Sequence, residues 1–213
     1  MRTRWAPLLI LAVTALGACA GDDDDATATL PSIPTGSIGS RPTGSPGSTN
    51  APSAEIGSGA FLVGAAVQPG TYLSPGPVTA SCHWERLSGA SSSRDDVIAE
   101  ADVSGQAIVE ILPTDVAFKS AGCDVWTPLE NATAVDSFGD GDWAVGQQVA
   151  PGRWTTDGDP NAIGCKWTRA SGFTHIGREV IATENTPVPA TVDIDPTDVR
   201  FTSNGCGTWT KAP

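Results

Sequence analysis

Histidine, tyrosine and methionine are nearly missing from this 213-residue chain, which has two, one and one of them. Two imidazoles, His83 and His175, leave little scope for acid–base chemistry or histidine-rich metal ligation, and neither sits in a recognisable Ser/His/Asp context. Basic residues are scarce as well: 12 Lys+Arg stand against 24 Asp+Glu, for a net charge of −12. Such a surface repels phosphate backbones and anionic headgroups, which excludes nucleic acid as a partner. Long apolar runs are absent too. The longest, residues 7–16, is shorter than the ~18 residues a membrane-spanning helix needs.

What the chain does have begins with a processing signal. Arg2 and Arg4 precede the apolar run, which ends in Leu16-Gly17-Ala18-Cys19. A charged n-region and a short h-region mark residues 1–18 as a signal peptide. The run of an aliphatic residue, two small residues and cysteine resembles the lipobox of bacterial lipoproteins. That resemblance implies cleavage before Cys19 and attachment of diacylglycerol to its sulfur. Two acyl chains anchor stably, so the implied location is the outer face of the cell membrane, held through Cys19.

Residues 19–58 read as a tether. An acidic run at 22–25 is followed by Ser, Thr, Pro and Gly, a composition too poor in apolar area to offset chain entropy, so disorder is expected. As a coil it would span about 35 Å. Consecutive carboxylates on a flexible chain make no preformed cation cage, and no metal is assigned there. The Asn131-Ala132-Thr133 sequon has no expected role in a bacterial product.

The rest of the chain is written twice. Cys82, Trp84, Arg86, Ser88 and Gly89 recur 83 residues later as Cys165, Trp167, Arg169, Ser171 and Gly172. Pro113-Thr114-Asp115-Val116 recurs as Pro196-Thr197-Asp198-Val199, and Phe118, Ser120, Gly122, Cys123 and Trp126 as Phe201, Ser203, Gly205, Cys206 and Trp209. Upstream, Val63-Gly64, Pro69-Gly70 and Tyr72 match Val145-Gly146, Pro151-Gly152 and Trp154 at an offset of 82. The one-residue difference falls in the Pro- and Gly-rich segment 73–80 and its counterpart, as expected of a loop.

Each unit reads as all-β, the first over 59–129 and the second over 140–213. Cys82, Trp84 and Arg86 alternate with His83, Glu85 and Leu87; Val109 and Ile111 flank Glu110, as Val192 and Ile194 flank Asp193. Residues 95–101 and 178–184 fit either a strand or a short helical turn. Some six short strands punctuated by Gly and Pro predict a small sandwich or barrel. A unit of about 70 residues is marginal for one hydrophobic core and needs a staple. Cys82 and Cys123 have the same separation as Cys165 and Cys206, 41 residues. Duplication selects the within-unit disulfides from the three possible pairings. A metal site would be ligand-poor by comparison.

The pattern Val-Gly, Pro-Gly-Thr-Tyr, Cys-x-Trp-x-Arg-Leu-Ser-Gly and Phe-x-Ser-x-Gly-Cys-x-x-Trp, complete from Val63 to Trp126, resembles a repeat of secreted and lipid-anchored actinobacterial proteins. The second copy departs from it at Gly152-Arg153-Trp154 and at 168–172. The resemblance implies an exported, disulfide-stapled β module and carries no activity with it.

Candidate ligand-binding residues are few. Trp84 and Trp167 lie two residues after a cysteine on the same strand face and should pack beside the disulfide. Trp126 and Trp209, three after a cysteine near the unit ends, are the exposed-ring candidates for stacking on a sugar. Asp115 and Asp198 read first as turn residues accepting backbone N–H bonds and next as ligand contacts. Arg86 and Arg169 either cover the core with their stems or pair with those aspartates. Asp136, Asp140 and Asp142 resemble a calcium loop only loosely. No catalytic residue and no cofactor is assigned. The reading is a non-enzymatic surface protein that binds cell-wall glycan or another envelope protein. The alternative is an enzyme with its site between the units, built from unmatched residues such as His175 or Asp159.

Overall fold

The structure, a computed structural model, describes residues 55–213 apart from residue 92. Cys19 and the acidic run at 22–25 lie outside the described residues, as does the tether up to residue 54. The first unit comprises β1 (Gly59–Leu62), β2 (Gly70–Ser74), β3 (Cys82–Leu87), β4 (Val97–Val103), β5 (Ala107–Ile111), β6 (Ala117–Ala121) and β7 (Thr127–Pro128). They pair antiparallel into two sheets, β1-β6-β3-β4 and β5-β2-β7. The second comprises β8 (Ser137–Phe138), β9 (Gly141–Ala144), β10 (Gly152–Thr156), β11 (Cys165–Ala170), β12 (Val180–Thr186), β13 (Ala190–Ile194), β14 (Arg200–Asn204) and β15 (Trp209–Lys211). Its sheets are β9-β14-β11-β12 and β13-β10-β15-β8, the same arrangement repeated. The fold is all-β, two tandem sandwich-like units.

The ambiguous segments resolve into both of their options. A 3₁₀ turn, Arg94–Asp96 or Gly177–Glu179, leads directly into β4 or β12. Period-two alternation holds where one face is buried: Cys82, Trp84 and Arg86 point inward from β3, and Ala190, Val192 and Ile194 from β13.

Each sandwich closes over its own apolar cluster. Trp84, Phe118 and Trp126 sit with the Cys82–Cys123 bridge in one, and Trp154, Trp167, Phe201 and Trp209 with Cys165–Cys206 in the other. Each bridge spans 41 residues and ties β3 or β11 to the turn after β6 or β14. Closing such a loop contributes roughly 4 kcal/mol in the chain-entropy model. Gly122 and Gly205 shape that turn in the left-handed region, φ 70° and 68°, where a Cβ would lie 2.5 Å from the carbonyl oxygens of Ser81 and Gly164.

Both units reach further upstream than their sequence pattern. Ile56, inside the segment read as tether, is buried against Trp126 and bridges its backbone. Its counterpart Phe138, ahead of residue 140, is buried on β8 and pairs with Trp209. Each fills the same end of its core, one as an aliphatic side chain and the other as a ring, which hides the match.

A third cluster, Ile108, Leu129, Ala144 and Phe173, lies between the sandwiches. It makes residues 55–213 one packed body.

Candidate functional site

The repeated tryptophans and aspartates taken as binding candidates turn out to be internal. Trp126 and Trp209 are 0 % exposed, which corrects their reading as a sugar-stacking platform. Each indole N–H donates to the hydroxyl of a serine six residues earlier, Ser120 or Ser203, at 2.9 Å. A buried indole needs such a partner, and the repeat supplies both halves. Asp115 and Asp198 are likewise buried, their carboxylates occupied by arginine instead of facing solvent. Arg86 donates to both oxygens of Asp115 at 2.7 and 2.8 Å, and Arg169 to both of Asp198 at 2.6 and 3.1 Å. The same carboxylates accept the N–H groups of Leu112 and Asp195, so the turn role and the arginine pairing coexist. This is the bidentate geometry that fixes both partners.

One group of unmatched residues converges on the seam between the units. His175 has a left-handed backbone, φ 58°, uncommon for a residue with a Cβ. Its N–H and that of Thr174 donate to the Glu179 carboxylate, which holds the turn. The His175 ring packs edge-on against Trp84 of the first unit, centroids 4.7 Å apart. Its Nε2 lies 2.8 Å from the carbonyl oxygen of Ile108 and 3.4 Å from Asp142 Oδ2. Asp142 also accepts from the Ile108 N–H and the Thr202 hydroxyl. Burial pushes the Asp142 carboxyl up, but the charge and hydrogen bond of His175 outweigh it. With Arg200 and Thr202 adding to the effect, the group is held at about 2. Arg200 is buried beside it, and burial lowers its affinity for the proton against the pull of Asp142 and Glu179.

Backbone and amide contacts complete the seam. Glu110 N–H donates to Phe173 O, Arg86 Nη1 to Thr174 O, and Asp142 N–H to Gln106 O. The side chains of Gln106 and Gln148 exchange two hydrogen bonds at 3.0 Å. At Gly141 the approach is so close that a Cβ would lie 2.4 Å from the Gln106 oxygen. His175 and Asp142 are therefore tied to the backbone of β5. Asp140 accepts the Ser203 hydroxyl and the N–H groups of Gly205 and Cys206. Asp159, the other unmatched candidate, accepts from Asn161 within its own exposed turn and lies outside the seam contacts.

A second unmatched group occupies the outer face of β3 and β4: His83, Glu85, Glu100 and Asp102, with Lys119 of β6 beside Glu85. Its imidazole and carboxylates form a donor set that could hold a metal ion. Hydrogen bonding to Glu85 raises His83 against the opposing effect of burial, with Asp102 adding to the rise. Burial pushes Glu85 up, but the hydrogen bonds from His83 and Lys119 prevail and leave it below the usual range.

A family model described as the Rv1352-like extracellular domain matches the chain twice, at residues 53–127 and 136–210. Those matches take in Ile56 and Phe138. Uncharacterised proteins of Mycobacterium bovis and Mycobacterium tuberculosis are 30 % identical over 82 residues, covering 33 % of this chain and 67 % of theirs. No solved structure matches the chain.

Proposed function

The chain belongs to the Rv1352-like extracellular domain family, and on that premise we propose that it is an exported, lipid-anchored surface protein that binds another envelope protein and catalyses nothing. Export accords with the two disulfides, which persist in oxidising compartments. The anchor rests on Leu16-Gly17-Ala18-Cys19, and residues 19–54 serve as the leash.

One observation carries the binding reading. Val97-Ile98 and Val180-Ile181 are repeated at the 83-residue offset, yet Ile98 is 38 % and Ile181 48 % exposed. They lie on β4 and β12, the outer strands of their sheets. An apolar side chain on an open strand edge suits a polypeptide partner adding a strand. A glycan partner would call instead for exposed aromatic rings, and the matched tryptophans are buried.

The test uses the full chain in mild detergent, immobilised and offered solubilised envelope proteins or purified cell-wall glycan. Saturable protein binding that falls at least tenfold in Ile98→Lys/Ile181→Lys is expected. Binding of glycan alone, or protein binding indifferent to both substitutions, contradicts the reading. Mass spectrometry of the native N-terminus should find Cys19 acylated; a free thiol there removes the anchor.

A further inference from the structure

The outer face of β3 and β4 gathers an imidazole and three carboxylates on one patch. Register places Glu85 opposite Glu100 and His83 opposite Asp102. Like charges directly opposite on one face of an antiparallel pair repel. The His83 imidazole is also bracketed by carboxylates: Nδ1 lies 3.1 Å from Asp102 Oδ1, and Nε2 2.9 Å from Glu85 Oε1. A neutral imidazole has one N–H and one lone pair. It can donate to one carboxylate, and it then turns its lone pair on the other. An imidazolium and Lys119 offset this charge in the free protein, and a metal cation among His83, Glu85 and Glu100 would take their place.

We infer that His83, Glu85 and Glu100 bind a divalent first-row transition-metal ion such as zinc, with Asp102 positioning His83. One ligand atom from each of the three lies within 4.8 Å of the other two. Tetrahedral ligand bonds of about 2.0–2.2 Å place donors on one ion about 3.3–3.6 Å apart, so side-chain rotations that bring the farther donors in by up to about 1.4 Å close the set. Donation from Nδ1 to Asp102 fixes the tautomer that points the Nε2 lone pair at Glu85 and the ion, the usual outer support of a metal-bound histidine. One nitrogen and two carboxylates suit zinc, manganese or iron. Three protein ligands leave a coordination position for water.

The fold does not require these residues. In the second unit the corresponding positions are Lys166, Thr168, Thr183 and Asn185, and the Thr168 and Thr183 hydroxyls simply bond to each other at 3.0 Å. The same strand pair thus forms without a carboxylate. Lys119 Nζ, 3.0 and 3.1 Å from the two Glu85 oxygens, is the cation that competes for Glu85.

Isothermal titration of zinc chloride into the EDTA-treated full chain in detergent tests the inference. One zinc per chain is expected, with affinity at least tenfold weaker in both His83→Gln and Glu100→Gln. Glu100 is exposed, so its variant keeps the fold intact. Lys119→Met, which removes the competitor, should bind several-fold more tightly. Absence of saturable binding, affinity unchanged in the two ligand variants, or weaker binding by Lys119→Met overturns it.

Discussion

Strands β5 and β13 are the same strand in two copies, Ala-Ile-Val-Glu-Ile and Ala-Thr-Val-Asp-Ile, and each is the outer strand of its sheet. Around β5, Ile108 is fully buried and the amides of Ile108 and Glu110 donate across the seam. On β13 the counterparts Thr191 and Asp193 are exposed, with Asp193 paired at the surface to Arg153. The second unit covers the edge of the first, and its own equivalent edge is built for solvent. The arginine–aspartate pair repeats the contrast. The side chains of Arg86 and Asp115 are each 1 % exposed, and Arg86 gains a third bond to Thr174; Arg169 is 21 % exposed. Identical motifs thus acquire different energetics from the copy they sit in, as internal and terminal modules of a repeat do.

The sharpest way to break the comparison is to remove the matched arginines. Arg86→Met leaves Asp115 and the Thr174 carbonyl buried without their donor, and should cost about 3–5 kcal/mol in urea denaturation. Arg169→Met should cost less than half as much; equal losses would mean the seam adds nothing to the pair. Next, Ile108→Ala should cost about 2–4 kcal/mol, while Thr191→Ala at the matching exposed position should stay within about 0.5 kcal/mol.

Asp142, whose counterpart is Ala60, predicts an acid sensitivity peculiar to the seam. Its folded value is about 2. It lies below the ordinary carboxylate value of about 3.9. A depressed carboxyl stabilises the fold above the unfolded value, and that contribution, on the order of 2 kcal/mol, is lost as pH falls from about 4 through 2. Urea midpoints followed over that range should fall less steeply in Asp142→Asn. The smallest effect is expected at the edge strands: Ile98→Ser and Ile181→Ser should each change stability by no more than about 0.5 kcal/mol, since neither side chain is buried.

Much of the scaffold was legible because it is written twice. Repeated cysteines selected the bridges, and period-two alternation located the strands. Trp126 and Trp209 misled because distance from the cysteine says nothing about where an indole N–H finds its acceptor; the repeated Ser120 and Ser203 were the available signal. Ile56 was hidden in a Ser-, Pro- and Gly-rich run by an Ile-for-Phe exchange. The seam was legible only in His175, an unmatched residue expected between the units, and the rest of it was hidden for a different reason. Its polar groups, Asp142, His175 and Arg200, have no equivalents in the first copy, and their partners on β5 are backbone groups that carry no sequence signature.

Amide hydrogen exchange at the seam tests most directly whether the two copies form one body. The N–H groups of Ile108, Glu110 and Asp142 should exchange only through global unfolding, with the same free energy as those of the central strands β3 and β11. Exchange at these three at least a hundredfold faster, with β3 and β11 still protected, would contradict the account.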